Sequence, residues 1–302
     1  MGRSSPIDYA VLAVAVVNVS TASILVRLAG VHGFVAASWR LILGTLLTAV
    51  LLLLLYAAGR HRRPLIPAGK DLLLAIASGV ALALHFDLWM VSLFHLSVAL
   101  SVTIVDSYPA VLAVVGRVVF GERYTVTQLL GALIAFLGVA GIAWYTGRGA
   151  PAPEGGDPVL GFILALAGML AVAAYFSIGR GLRARYTTLE YTLPVYLVAA
   201  LASSLLTLTL GERLTGYSPA TYVYLALLAI LPMLGGHTLI NYALGRLTLL
   251  AATVPILGEP VGAAILAWLI LGEPLGPIEA LLMGITLLGI GMVLVGEERG
   301  RG

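Results

Sequence analysis

Cysteine is absent from the 302 residues, which excludes a disulfide scaffold and leaves the redox compartment unmarked. Charge is scarce: 17 basic and 14 acidic residues make up 10% of the chain, against roughly 25% in a globular protein. Lysine occurs once, at Lys70. No polar low-complexity tract is present, so neither a disordered chain nor a nucleic-acid binder fits, despite a net charge of +3. The H-E-x-x-H, G-x-S-x-G and P-loop patterns are missing too, so no sequence motif points to an enzyme, a metal or a cofactor. What is abundant is apolar surface. Hydrophobic residues are 60% of the chain, roughly 67% once Gly is added and Tyr removed, where soluble domains hold roughly 45–50%. Runs such as Leu41 to Ala58 and Val126 to Ala143 approach the roughly 20 residues that cross a bilayer as helix. The chain therefore reads as an all-α polytopic membrane protein.

Dividing the apolar runs at charged, Gly and Pro clusters predicts ten transmembrane helices, over 8–29, 34–57, 71–93, 98–119, 126–146, 159–179, 190–210, 220–244, 247–271 and 277–295. The stretch from Met1 to Asp8 holds one Arg and runs into the first apolar segment without a small-residue cleavage site, so it predicts a first span rather than a removed signal peptide. Only two connections are longer and distinctly polar, Gly59 to Lys70 and Thr146 to Pro158. The second, TGRGAPAPEGGDP, has linker composition and lies near the centre of the chain. With the N-terminus in the cytoplasm, 13 of the 17 basic residues fall on that side, among them Arg3, Arg60, Arg62, Arg63, Lys70, Arg117, Arg123, Arg180 and Arg246. Arg148 and Arg213 fall outside. Positive loops are retained in the cytoplasm, so both termini are expected there.

Sliding the chain against itself by 151 positions aligns Pro109, Gly121, Glu122 and Gly138 with Pro260, Gly272, Glu273 and Gly289. Both halves thus hold P-x11-G-E-x15-G, and the stretch 94–144 matches 245–295 at nine positions without a gap. The expected organisation is a first five-helix repeat over 1–146, an external linker over 147–157, and a second repeat over 158–302 ending in a short cytoplasmic tail. Five is odd, so the second repeat enters the membrane from the opposite side. Inverted repeats suit a transporter, because two similar bundles of opposite orientation can open a central site to each side in turn.

These residues resemble the drug/metabolite transporter superfamily, and within it the EamA-type members with ten helices in two repeats. The resemblance rests on SWRLILG around Arg40, on SVALSVTIVDSYPAVLAVVGRVVFGERYT followed by LLGALIAFLGVAGI, and on GHTLINYALGRLTLLAATVPILGEPVGAAILAWLILGEPLG. It covers essentially the whole chain. It implies membrane transport of a small solute without naming one, since members of one fold carry different cargoes.

Ionisable groups at bilayer depth usually face a cavity or a partner. Counting from the connections near Leu96 and Arg246, His85, Asp87, Asp106, His237 and Glu259 are expected roughly 14–20 Å down their helices. They are candidates for a polar cavity lined by the third, fourth, eighth and ninth spans, with Asp106 or Glu259 carrying a proton, or else for interhelical bonds that fix the bundle. His85 and Asp87 are two apart and point about 200° from one another, so one of them should face a neighbouring helix. Arg40, roughly 14 Å deep, needs an anion, either one of these carboxylates or a carboxylate or phosphate of the solute. Arg27 is expected to reach the headgroups. Asn18 and Asn241 can bind a solute or bond between helices. Pro109, Pro232, Pro255 and Pro260 are candidate kinks or hinges. Gly131, Ala135, Gly284, Gly289 and Gly291 read as close packing or a dimer face, and Glu122 and Glu273 as caps at helix ends.

The sequence thus predicts a secondary transporter of a small polar metabolite, an amino acid or related solute, working by alternating access with protons as a candidate coupling ion. A facilitative uniporter or lipid translocator, suggested by the very apolar walls, and an intramembrane enzyme are the competing readings. Expected partners are the solute, protons and membrane lipids, with monomer and homodimer both open. Arginine in place of lysine, absent cysteine and short loops suit a prokaryotic cell membrane.

Overall fold

A computed structural model describes residues 5–59, 66–147, 155–271 and 275–301. Ten helices among them are long and apolar enough to span a membrane: α1 (Pro6–Ala29), α2 (Gly33–Ala57), α3 (Lys70–Ser92), α4 (Leu100–Val118), α5 (Val126–Tyr145), α6 (Pro158–Leu182), α7 (Thr188–Thr209), α8 (Pro219–Leu244), α9 (Leu249–Ile270) and α10 (Pro277–Gly300). No strand occurs among the described residues. Arg3, Arg60, Arg62, Arg63, Arg148, Gly272, Glu273 and most of the 147–157 linker lie outside them.

A membrane offers the backbone no water, so helix ends must be satisfied by the protein or placed at the interface. Side chains cap several of them. Ser5 N–H donates to Asp8 Oδ2 at 2.8 Å before Pro6 opens α1, and Asp157 Oδ1 accepts from Val159 and Leu160 N–H at 2.9 and 3.1 Å before α6. At α7, Thr187 N–H donates to Glu190 Oε2 at 2.8 Å.

Three spans expected as continuous helices are interrupted, the first of them α1, at Ser20–Thr21. The other two carry proline beside the break. In α4 the helix breaks at Asp106–Ser107, and in α9 a 3₁₀ turn covers Val254–Gly258. The reason is chemical: Pro109, Pro255 and Pro260 lack the N–H that Val105, Ala251 and Ile256 carbonyls would accept in an α-helix. The two breaks fall 151 positions apart, at equivalent places in the two halves. A further irregularity is the π-helical stretch Ala229–Thr238 of α8, which contains Pro232. At the C-terminus the last helix runs to Arg301, beyond the expected 295. Buried Glu297 holds that extension, accepting from Thr248 Oγ1 at 2.6 Å and Gln128 Nε2 at 2.8 Å.

Helix packing repeats the internal symmetry. α5 packs on α10, α2 on α7 and α4 on α9, while α1 on α8 is matched by α6 on α3. Exchanging the halves maps this set of pairs onto itself, as two inverted five-helix repeats require. The α5–α10 seam is built by glycine: a Cβ at Gly131 would sit 2.7 Å from Gly289 O, and one at Gly289 would collide with the backbone of Gly131 and Ala135. These small residues therefore serve packing within the chain, whereas Gly284 and Gly291 meet nothing within 4 Å. The lipid-facing surface is apolar, with Val118 75% and Leu53 64% exposed, and the polar side chains lie inside.

Candidate functional site

Where α4 and α9 break, a cavity of about 20 Å³ lies between the repeats, lined by Arg40, His85, Trp89, Asp106, Tyr108, His237 and Glu259. That volume holds about one water. Apolar wall also comes from Val19 and Ala22 of α1 and Val172 of α6, so the lining exceeds the four spans expected from sequence. All seven polar or aromatic members are buried.

The groups converge without satisfying one another. Arg40 lays its guanidinium 4.0 Å from the centre of the Phe86 ring, yet its Nε and Nη1 make no hydrogen bond. The same is true of Asp106 Oδ2, Trp89 Nε1 and His237 Nδ1. No carboxylate pairs with Arg40 among the described residues, although Glu259 is near enough to act on it and on Asp106 through space. His85 is fixed by Nδ1 against Gly168 O at 3.1 Å and by stacking on Trp89, 6.1 Å between centroids. Its ring lies 5.9 Å from that of His237, which in turn stacks on Phe176. A buried donor or acceptor left unpaired costs about 1–3 kcal/mol. Five such atoms surround this one cavity.

The cavity carries the repeat in its wall. Tyr108 and Glu259 are 151 positions apart, and Phe86, which stacks against Arg40 behind the wall, is 151 before His237. Reading residues for charge alone passes over Phe86, Trp89 and Tyr108; the repeat offset was the available signal for Phe86 and Tyr108.

The sequence profile of the EamA-like transporter family matches residues 7–144 and again 159–295. The chain belongs to that family. Two matches, one per half, agree with the paired helices and place this EamA-like transporter within the drug/metabolite transporter superfamily as an integral membrane transport protein. A solved crystal structure of a protein sharing 18% identity superposes with a TM-score of 0.78, over 98% of this chain and 100% of that one. At that identity it attests the fold alone. No curated protein matches the chain in sequence.

Other candidates of this EamA-like transporter lie away from the cavity. Asp87 stands five residues before the end of α3, about 7.5 Å along the helix. It accepts from Ser203 Oγ at 2.7 Å, and Ser203 continues through Ser38 at 3.1 Å to Thr207 at 2.8 Å. Asp87 thereby faces α2 and α7, and His85 faces the cavity. Asn18 bonds back to Val14 O at 2.8 Å within α1. Asn241 donates to Tyr175 Oη at 2.5 Å and His237 O at 2.7 Å, tying α8 to α6. Arg27 is exposed near the end of α1.

On the side of the chain termini, several charges are paired. Glu122 binds Arg180 at 2.7 Å, accepts from Tyr124 Oη at 3.0 Å, and accepts from Leu249 N–H at 2.8 Å. It thus caps α9 of the other repeat rather than a neighbouring end in its own. Burial, then the adjacent Glu122 carboxylate, push the Tyr124 hydroxyl well above its ordinary value. Arg183, lowered to about 10 by burial and by Arg246, donates to Asn241 O at 2.9 Å and to Tyr186 O.

Proposed function

We propose that this EamA-like transporter is a secondary transporter of a small polar metabolite, an amino acid or a related solute, that works by alternating access with proton coupling. The observation that supports it most is the meeting of an unpaired buried arginine with two carboxyl groups at breaks shared by both repeats. Half-helix breaks at the interface of inverted repeats are where transporters hold their cargo. Arg40 binds the solute's carboxylate in this reading, and Asp106 and Glu259 hold its ammonium group or the coupling proton. His85 and His237 line the wall as further hydrogen-bonding groups. Room for a single water cannot hold such a solute. Loading therefore requires α4 and α9 to swing at their breaks, where Pro109, Pro255 and Pro260 have already removed backbone hydrogen bonds. The termini side is the cytoplasm in this proposal, residues 147–157 link the repeats outside, and the host is a prokaryotic cell membrane.

The test is flux in sealed proteoliposomes, offering a panel of amino acids and related metabolites while an internal dye reports pH. Solute entry with stoichiometric proton movement supports the proposal. Solute movement without protons leaves a uniporter, lipid movement with silence across the panel makes the chain a lipid translocator, and a chemically altered solute makes it an enzyme.

A further inference from the structure

Three arginines on the termini side are held in ion pairs. Arg180 pairs with Glu122 at 2.7 Å, Arg185 with Asp71 at 2.9 Å and Arg246 with Asp8 at 3.4 Å. Arg117 and Arg123 have no carboxylate partner among the described residues; Arg117 makes one long bond, 3.4 Å, to Glu122 O. Both of these arginines line one lipid-facing groove between α4 and α5, with a volume of about 790 Å³. Its floor is apolar, and its rim residues Val114 and Val118 are 63% and 75% exposed. Through Ala113 and Leu129 it continues into a slot of about 150 Å³ that reaches Phe136, Val254 and Leu257.

We propose that this groove is a binding site for an anionic phospholipid. Charge complementarity identifies the occupant: two unpaired guanidiniums near the end of a span, at headgroup level, match a phosphate. The long apolar slot beneath them matches an acyl chain and has no use for a soluble anion. A zwitterionic choline lipid presents a fixed cation to the same arginines and is the poorer fit. The site also has a place to act. Its headgroup end is the turn that carries Glu122, whose side chain crosses to Arg180 and α9, and its deep end touches the 3₁₀ turn of α9. A seated lipid braces the termini side from outside the bundle.

Native mass spectrometry of the full chain, released from nanodiscs of equal phosphatidylglycerol and phosphatidylcholine, reads this directly and needs no transport substrate. Wild type should retain phosphatidylglycerol over phosphatidylcholine by roughly thirty-fold, the value for two arginines at about 1 kcal/mol each. The double variant Arg117→Gln/Arg123→Gln should lose that preference. Arg299→Gln, which removes an exposed charge on the same side, should keep it. Ala132→Phe, filling the slot, should lower retention with both arginines intact. Equal retention of the two lipids by wild type, or a loss with Arg299→Gln as large as with the pair, overturns the proposal. Full competition by soluble glycerol phosphate overturns it too, since the apolar slot would then contribute nothing.

Discussion

The central cavity and the Glu122 cluster hold similar chemistry arranged in opposite ways. Each brings arginine, carboxylate and tyrosine from both repeats into a buried space. In the cluster the carboxylate of Glu122 meets Arg180, Tyr124 and a backbone N–H. In the cavity Arg40 Nε and Nη1, Asp106 Oδ2 and His237 Nδ1 meet no partner. Satisfied buried charges hold a conformation in place, and breaking them is costly. Unsatisfied ones keep a standing free-energy debt that an incoming solute cancels. The first arrangement fixes the contact between the repeats, and the second fits the binding role proposed for the cavity.

That contrast predicts opposite outcomes for stability and transport. The largest effect is expected from Glu122→Ala, which strips Arg180, Tyr124 and the α9 cap at once. Loss of a buried pair costs about 3–5 kcal/mol, so thermal unfolding in detergent should move sharply down. A variant as stable as wild type would show that the cluster is ornamental. Arg40→Met should do the reverse. It removes no hydrogen bond from Nε or Nη1 and keeps an apolar contact with Phe86, so stability should hold or rise. Solute flux should fall by roughly ten- to hundred-fold, the worth of a hydrogen bond to a charged group. Full flux in the methionine variant would take Arg40 out of the site.

How far the sequence alone reaches can be judged from the same residues. Hydropathy placed the ten spans to within a few residues, because a bilayer fixes helix length and the apolar runs end at polar loops. The 151-position offset exposed the repeat and aligned Pro109 with Pro260 as candidate kinks, while the interruption of both helices was not expected. Arg40, His85, Asp106, His237 and Glu259 do share one cavity. Asp87, Asn18 and Asn241 do not. Asp87 points about 200° from His85 on α3, as their two-residue spacing requires, Asn18 is turned back onto Val14 O, and Asn241 follows the π-helical stretch through Pro232, whose phase a uniform 3.6-residue spacing cannot register. Glu122 was legible as a cap but not as a cap across the repeat boundary, since that requires knowing that α9 starts beside the turn after α4.

A smaller effect separates the two carboxyl groups of the cavity. Asp106→Asn and Glu259→Gln keep shape and remove the capacity to exchange a proton. Each should lower flux by about tenfold, and the one that carries the coupling proton should flatten the dependence of flux on external pH. An unchanged pH profile in both amides would move coupling away from the cavity, leaving Asp87 and its hydroxyl neighbours Ser203 and Ser38 as the buried carboxyl to test next.

The smallest effect lies in the cluster, at Tyr124. Removing its hydroxyl by Tyr124→Phe deletes one hydrogen bond to Glu122 and should cost about 1 kcal/mol near neutral pH. The pH dependence makes the assignment specific. Burial and the Glu122 carboxylate hold the folded-state hydroxyl well above about 10, where the unfolded tyrosine titrates. Between those two values the folded protein binds more protons than the unfolded chain, so stability falls as pH rises. The contribution is complete below about pH 10 and drains away above it. Wild type and Tyr124→Phe should therefore differ by a constant amount through the neutral range and converge in the alkaline limb of a stability titration. Parallel curves across the whole range would mean that Tyr124 packs against the cluster without donating to it.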